Sequence, residues 1–334
     1  MPDIPVLLAI IVIVALIFDF TNGAHDCANA IATVVSTKVV TPRFAVGAAA
    51  LLNLCGALLG TEVAKTLGSG IVLPQVVEGS HVLVLAALAG AIFWNCLTWY
   101  FGIPSSSSHA LIGGLIGAAV ADAGFGALNG QGILEKVLVP LVASPLAGFA
   151  AGFLLMHAVN VICAYIHRRK VNSAFRRLQL LSAGFMATSH GLNDAQKTMG
   201  IITLALLIFG KIDSVEVPLW VKFSCAGAMA LGTAIGGWKI VKTMGHRIFK
   251  LEPVHGFAAE TSAAAVVTGA SLLGAPVSTT HTISACIFGV GSSKRFSAVR
   301  WNVAGSLVVA WVLTLPAASI VGFVSCHVLN MIWN

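Results

Sequence analysis

Eight long stretches of the sequence carry few charged residues, and most are long enough to cross a membrane. About 20 helical residues are needed to span roughly 30 Å of hydrocarbon. Only 9% of the chain is charged, whereas a soluble domain carries roughly a quarter, so a soluble surface could not be covered. These features predict an all-α integral membrane protein. The apolar stretches are residues 5–18, 44–60, 82–101, 137–166, 180–209, 219–241, 256–273 and 303–331.

Basic residues cluster in the short segments between the apolar stretches. The clearest segment is 167–179, which holds four arginines and one lysine. The positive-inside rule places this segment in the cytoplasm and leaves Glu78, Asp122 and Glu135 outside. Counting crossings from it in both directions gives five on each side, or about ten to twelve with broken segments, and both termini outside. These segments also account for the net charge of +7, so no nucleic-acid partner is predicted.

Three polar blocks of the sequence recur in the same order. Residues 21–26 match 189–194, residues 63–68 match 240–245, and residues 104–109 match 276–281, at offsets of 168, 177 and 172. The recurrence predicts two repeats, 1–166 and 180–334, joined by 167–179 as a basic loop. An odd number of crossings per repeat makes the two repeats inverted. Inverted repeats indicate a secondary transporter whose substrate binds near the midplane, where helices are broken.

Two hydroxyl-rich segments follow prolines inside apolar regions. Each is predicted to begin a new helix at membrane depth, where unpaired N–H groups and the helix dipole favour an anion. The alternative is that the hydroxyls bond back to helix carbonyls, but the duplication favours substrate binding. The predicted substrate-binding residues are Ser105, Ser106, Ser107, Ser108, Ser278, Thr279 and Thr280.

Asp26 and Asp194 occupy matched positions where Gly and Asn are predicted to interrupt two apolar helices. A carboxylate inside a membrane is costly and usually marks an ion or proton site; the alternative is a side chain that reaches the interface. Glu260, near the start of another apolar stretch, has the same interpretation. His109 and His281 fit helix packing and proton transfer equally well. The neighbours predicted to contribute ligands are Asn22, His25, Asn29, Asn193, Gln196 and Lys197, with a sodium site considered at Asp26, Asn22 and Asp194.

Four motifs together resemble one family over nearly the whole chain. They are residues 23–30 (Gly-Ala-His-Asp-Cys-Ala-Asn-Ala), 193–197 (Asn-Asp-Ala-Gln-Lys), 256–260 and 274–281. Their pattern resembles the inorganic phosphate transporter (PiT) family. The resemblance implies symport of phosphate, with the Ser/Thr segments binding phosphate and the two Asp motifs handling cations.

The first motif departs from the sodium-dependent members, which usually have Gly-Ala-Asn-Asp. His25 stands in place of that asparagine, as in the bacterial low-affinity permeases that the sequence resembles. An imidazole is a weaker sodium ligand than an amide oxygen and readily carries a proton. Proton coupling is therefore expected, with sodium as the alternative coupling ion. The resemblance to bacterial permeases implies a bacterial inner membrane. No other cofactor is predicted.

Several alternatives stay open at this point. Within transport they are a sulfate permease and a metal–phosphate permease; outside it they are a passive anion channel and an intramembrane hydrolase. The sequence holds no GxxxxGK[ST], HExxH or GxSxG motif, which argues against an enzyme. Two nearby carboxylates favour phosphate over sulfate, because protonated phosphate can donate a hydrogen bond to them. A homo-oligomer is neither indicated nor excluded.

Overall fold

The computed structural model describes residues 4–73, 76, 80 and 82–333, and the regular structure in this part of the chain is helical. Glu78 lies outside the described residues. One isolated antiparallel bridge joins Val72 and Leu128. The helices are α1 (Ile4–Ser36), α2 (Pro42–Ala57), α3 (Glu62–Ser69), α4 (Leu83–Phe101), α5 (Ser107–Ala123), α6 (Gly130–Ile133), α7 (Val139–Ile162), α8 (Arg168–Ile208), α9 (Leu219–Ile235), α10 (Trp238–Lys242), α11 (Pro253–Leu272), α12 (Thr279–Lys294) and α13 (Trp301–Trp333).

Four of the described helical segments are long and apolar enough to cross a membrane. A bent pair, α9 with the helical residues after its break, forms a fifth candidate with an angle of 61°. Large apolar side chains such as Phe44 and Leu181 are exposed on the outer surface, as expected for helices that face lipid. The all-α membrane class is confirmed, while the count of ten to twelve crossings stays a prediction. The four segments are Pro5–Ser36, Leu83–Phe101, Gly130–Ile162 and Trp301–Ile332.

Helices α1 and α8, which carry the two Asp motifs, differ from what the sequence predicts. Residues 168–179 form the first turns of α8 instead of a loop, because Arg, Lys, Leu and Gln are strong helix formers. Helices α1 and α8 also run unbroken through Gly23 and Gly191, where the sequence predicts interruptions. A Cβ at Gly23 would lie 2.3 Å from the Met229 carbonyl oxygen, and one at Gly191 would lie 2.1 Å from that of Asn53. These glycines therefore permit close helix packing and do not break the helices.

Two apolar clusters fill the bundle, and both long helices pass through each of them. The first cluster contains residues 7–18 of α1 and 195–208 of α8. The second contains residues 27–34 of α1 and 175–187 of α8. Helix α1 therefore runs from the first cluster to the second, and α8 runs from the second to the first. The polar stretches 19–26 and 188–194 lie between the clusters.

Contacts made by the first half of the chain have counterparts in the second half. Helix α1 packs on α9 as α8 packs on α2, and α4 packs on α5 as α11 packs on α12. The last helices are exchanged, since α13 packs along α5 and α7 packs along α12. The Thr66 hydroxyl donates to the Gly274 carbonyl at 2.7 Å, and the matched Thr243 hydroxyl donates to the Gly102 carbonyl at 3.0 Å.

Segments predicted to be cytoplasmic meet at one end of the bundle. Arg176 donates to the Lys38 carbonyl at 2.9 Å, and Arg168 lies 2.5 Å from the Glu252 carboxylate. The basic residues of three separate segments are thereby collected on one side of the protein.

Candidate functional site

Two helices, α5 and α12, begin between the two apolar clusters. Ser106 caps α5 by accepting a hydrogen bond from the His109 N–H at 3.2 Å, and Ser278 caps α12 by accepting one from the His281 N–H at 3.2 Å. The rings of His109 and His281 are 5.0 Å apart, so the two helix starts face each other. The partial positive charges of two helix N-termini converge there, which suits an anion.

The prolines lie in the connections that lead to these helices. Pro104 and Pro276 each precede the capping serine by two residues, so they stand outside the first helical turn. Their role is to keep the preceding chain extended. The prediction that each segment begins a new helix is confirmed.

Three side chains contact the Asp194 carboxylate. The Lys197 ammonium donates to Asp194 Oδ1, and the Thr279 hydroxyl donates to Oδ2 at 2.9 Å. His190 Nε2 lies 2.9 Å from the same Oδ2. The spacing of three and four residues along α8 places His190 and Lys197 on the face that carries Asp194. The carboxylate is therefore held by a fixed positive charge within its own helix.

Asp26 has partners of a different kind. His25 Nδ1 lies 2.5 Å from Asp26 Oδ1, and the Thr280 hydroxyl donates to the same oxygen at 3.4 Å. One turn further along α1, the Asn29 amide donates to the hydroxyls of Thr279 and Thr280 at 3.1 and 2.9 Å. No lysine or arginine pairs with Asp26 among the described residues. The Ser/Thr segment of the second half thus binds the Asp motifs of both halves.

The two carboxylates are brought together in a buried cluster, called the site pocket below although the side chains fill it. One ligand atom each from Asp26, Asp194 and His190 lies within 4.8 Å of the others. The exposed fractions of these side chains are 3%, 1% and 0%, so the pocket is shut off from solvent. Two carboxylates at this separation repel each other unless a proton or cation is shared between them. The donor set of two carboxylates and an imidazole fits a small cation.

Serines of the first Ser/Thr segment have different partners. Ser105 donates to the Thr98 hydroxyl at 2.9 Å, while the Ser108 hydroxyl accepts from Lys197. The Ser107 hydroxyl is buried and has no hydrogen-bond partner. The Ser108 hydroxyl also donates to the Val277 carbonyl at 3.4 Å. Of the four serines, Ser107 is therefore the one with an unused hydroxyl among the described residues, and the others hold the segment in shape.

Residues 22–322 match the phosphate transporter family. The chain belongs to that family.

Relatives and a solved structure agree with this assignment. Over 98% of both chains, the protein is 50% identical to a probable low-affinity inorganic phosphate transporter of Bacillus subtilis. It is 51% identical over 94% of both chains to a protein of the same description from Rhizobium meliloti. A solved sodium-dependent phosphate transporter has the same fold, with a TM-score of 0.91 over 98% of this chain and 100% of that one, at 24% identity. Because the phosphate transporter family consists of transporters, the prediction that this chain is not an enzyme is confirmed.

In this phosphate transporter family member, Glu260 belongs to a separate polar cluster. Its carboxylate accepts hydrogen bonds from Thr33 at 2.5 Å, from Gln179 at 3.0 Å and from Ser182. Its described hydrogen bonds do not include either site aspartate. The structure therefore does not bring Glu260 together with the other predicted cation residues, and its role in coupling stays a prediction.

The side-chain amides near the aspartates have two roles. Some hold neighbouring segments in place, and others keep an oxygen atom that could bind a cation. Gln196 Oε1 accepts from the Val63 N–H at 2.8 Å and so holds the start of α3. Asn193 donates to Ser271 at 2.7 Å. The Asn193 Oδ1 and Asn22 Oδ1 atoms are buried and have no hydrogen-bond partner, which leaves both free to bind a cation.

The paired histidines pack as aromatic rings. His281 stacks on Trp311 with 4.3 Å between ring centroids, and both its ring nitrogens are buried without a hydrogen-bond partner. A proton carrier needs a hydrogen-bonded neighbour to exchange with. These contacts favour packing over proton transfer for His281.

Sequence reasoning missed three residues at the site. In the sequence, His190 is marked only as a member of the block 189–194 that matches 21–26. Its spacing of four residues from Asp194 nevertheless places both on one helix face. Asp19 is fully buried, with the polar side chains of Thr198 and Asn22 next to its carboxylate, and it precedes Asp26 by seven residues, about two helical turns. Thr98 lies 3.1 Å from His25 Nε2 and lines a cavity of about 410 Å³ beside Pro104. No sequence motif marks Thr98.

Proposed function

We propose that the protein carries inorganic phosphate across the membrane by symport with a cation. The main support is the convergence of two helix N-termini near the buried cluster that contains Asp26 and Asp194. Buried carboxylates beside an anion site suit coupling to a cation better than passive anion flow. The bacterial relatives, which are probable low-affinity inorganic phosphate transporters, support phosphate as the substrate.

Phosphate is proposed to bind between the starts of α5 and α12. The donors proposed there are helix N–H groups and the Ser107 hydroxyl. Ser108, Thr279 and Thr280 would join them by releasing their present acceptors, Val277, Asp194 and Asp26. Protonated phosphate can also donate a hydrogen bond to a carboxylate, which fully ionised sulfate cannot do. The proximity of Asp194 to Thr279, 2.9 Å between carboxylate and hydroxyl oxygens, supports phosphate as the preferred anion.

Protons are proposed as the coupling ion, with Asp26 and His25 as the site. The two side chains are 2.5 Å apart and buried. An imidazole hydrogen-bonded to a carboxylate offers two neighbouring groups between which a proton can be exchanged. Sodium bound by Asp26, Asn22 and Asp194 is the alternative, and the experiment below separates the two.

The transport cycle is proposed to use alternating access between two inverted repeats, 1–166 and 180–334. Its support is that α1 and α8, which carry the matched aspartates, pass through the two apolar clusters in opposite directions. Helices α5 and α12 also leave the site for different clusters. Carriers with such repeats expose a central site to each side in turn.

The proposed location is a bacterial inner membrane. The basic end of the bundle, with Arg168 and Arg176, faces the cytoplasm by the positive-inside rule. Both termini are then outside. Accessibility of single cysteines introduced at Lys170 and at Asp213 to an impermeant reagent on intact cells would test this orientation: only the second should react.

The deciding experiment is uptake of labelled phosphate into proteoliposomes under imposed pH or sodium gradients. Uphill phosphate accumulation driven by an inward proton gradient, without sodium and unaffected by equimolar sulfate, is the expected result. The matched control is Asp122→Asn, which removes a carboxylate outside the pocket and should transport normally.

Three other outcomes would each contradict one part of the proposed function. Accumulation that requires sodium at constant pH would replace protons by sodium. Downhill flux that no ion gradient can drive uphill would indicate a channel. Inhibition by sulfate at equal concentration, with no uphill phosphate uptake, would overturn the proposed substrate.

A further inference from the structure

Lys197 is a buried lysine in the centre of the site. Its side chain is 2% exposed. It lies 168 residues after Asn29, the same offset that relates Asp194 to Asp26. The second half of the chain therefore has an ammonium at the position where the first half has a neutral amide.

Three oxygen atoms surround this ammonium. Lys197 donates to Asp194 Oδ1 and to the Ser108 hydroxyl, and it lies 3.1 Å from the Val277 carbonyl oxygen. The acceptors come from α8, from the start of α5 and from the segment before α12. A carboxylate, a hydroxyl and a main-chain carbonyl are oxygen ligands of the kind that small hard cations bind.

The three N–H donors of the ammonium are all used by these acceptors. A lysine whose role was to bind phosphate directly would keep at least one donor free for it. Here the ammonium instead occupies the place of a bound ion, between a carboxylate and the two Ser/Thr segments.

The matched position in the first half lacks such a charge. Asn29 donates its amide hydrogens to Thr279 and Thr280, and its Oδ1 has no hydrogen-bond partner. Within the described part of the chain, the side chains that bond Asp26 are His25 and Thr280. A free oxygen and a carboxylate without a fixed cation leave room for a mobile one on this side.

We propose that the Lys197 ammonium is a covalently tethered substitute for a coupling cation at Asp194. One cation position, at Asp26, is then left for a mobile ion. The tethered charge crosses no membrane with phosphate, so the protein moves one cation fewer per phosphate than a carrier in which both positions are mobile. This inference builds on the proposed symport and names which of its two aspartates uses a transported ion.

The first test is cation binding by Lys197→Asn, which copies Asn29 into the second half. Purified Lys197→Asn should be stabilised against heat by Na⁺ or Li⁺ relative to choline, by more than the wild type is, because only the folded site binds the ion. Adding Asp194→Asn to this variant should remove the gain, because the carboxylate ligand is then lost. Lys170→Asn, an exposed lysine replaced in the same way, should behave as the wild type.

Transport gives the second readout. Uptake of phosphate by Lys197→Asn should fall in choline medium and rise roughly tenfold when Na⁺ or Li⁺ is added, as an uncompensated buried carboxylate regains a cation. The charge moved per phosphate, measured from the reversal potential, should increase by one cation.

Two results would overturn the proposal. The first is Lys197→Asn, or Lys197→Gln if the former does not fold, showing no stabilisation by any small cation beyond that of the wild type. The second is uptake that is the same in choline and sodium. The cation-binding assay needs no phosphate, so a wild type that fails to transport phosphate would refute the proposed function while this site is still tested.

Discussion

The two halves of the site share one layout but differ in chemistry. Each contributes a long helix with a buried aspartate, and each supplies a capped helix start. At three of the four matched polar positions, however, the side chains differ. The pairs, first half before second, are Asn22 and His190, His25 and Asn193, Asp26 and Asp194, and Asn29 and Lys197.

This difference shows which features the shared fold needs and which it leaves free. Close helix contacts recur in both halves: a Cβ at Gly56 would lie 2.0 Å from the Thr188 carbonyl oxygen, and one at Gly232 would lie 2.0 Å from that of Phe20. The positive charge does not recur, since Lys197 pairs with Asp194 while no lysine among the described residues pairs with Asp26. The close backbone packing is thus present in both halves, while the side chains that partner the two aspartates differ between them.

The largest effect is expected for Asp194→Asn. Uptake should fall to background, and the free energy of unfolding should fall by about 3–5 kcal/mol, because the Lys197 ammonium is left buried without its carboxylate. Labelled phosphate uptake and thermal unfolding in detergent measure the two quantities. A variant of wild-type stability would show that the ion pair is not formed in the membrane.

Asp26→Asn should abolish uptake equally but destabilise the protein less. Its partners are an imidazole and a hydroxyl, so the expected loss is about 1–2 kcal/mol, that of ordinary hydrogen bonds. The same two measurements apply. If both variants lost equal stability, the contrast between a fixed and a mobile cation would be wrong.

Gly56→Ala and Gly232→Ala test the prediction that close helix packing is the same in both halves. Each added methyl group meets a backbone oxygen of the facing helix, so each variant should lose about 1–3 kcal/mol of stability. Thermal unfolding should show similar losses in the two halves. Gly47→Ala is the matched control, since a Cβ there meets nothing within 4 Å, and a loss comparable to the others would contradict the packing argument.

The smallest effect is expected for valine at Thr66 and at Thr243. Each change removes one hydrogen bond to a carbonyl, to Gly274 and to Gly102 respectively, at a cost of about 0.5–1.5 kcal/mol. The two losses should agree within error in thermal unfolding. A large effect in only one half would mean that these contacts are not equivalent.

Much of the site was predictable because polar residues in a membrane chain are few. The duplicated Asp26 and Asp194 motifs and the two hydroxyl segments stand out against an apolar background. The capping serines before α5 and α12 follow from ordinary helix-start chemistry. These residues form one pocket, as expected from their shared sequence pattern.

Other features could not be read from the sequence for physical reasons. Gly23 and Gly191 fit either a break or a close helix contact, and only the facing carbonyls of Met229 and Asn53 decide between them. Glu260 resembles the site aspartates in sequence, but its partners Thr33 and Gln179 come from distant parts of the chain. Side chains that are remote in sequence cannot be paired by local pattern alone.

The exchange of the last helices has a consequence for how the protein is made. Helix α12 finds its neighbour α7 already in the bilayer when it is synthesised. Helix α5 packs on α4, but its other partner, α13, follows α12 in the chain and is synthesised later. The first half must therefore wait in the membrane with one face of α5 uncovered until Trp301–Trp333 has been synthesised. A chain that ends before Trp301 would lack the helix that packs along α5, so this face of α5 would stay exposed to lipid.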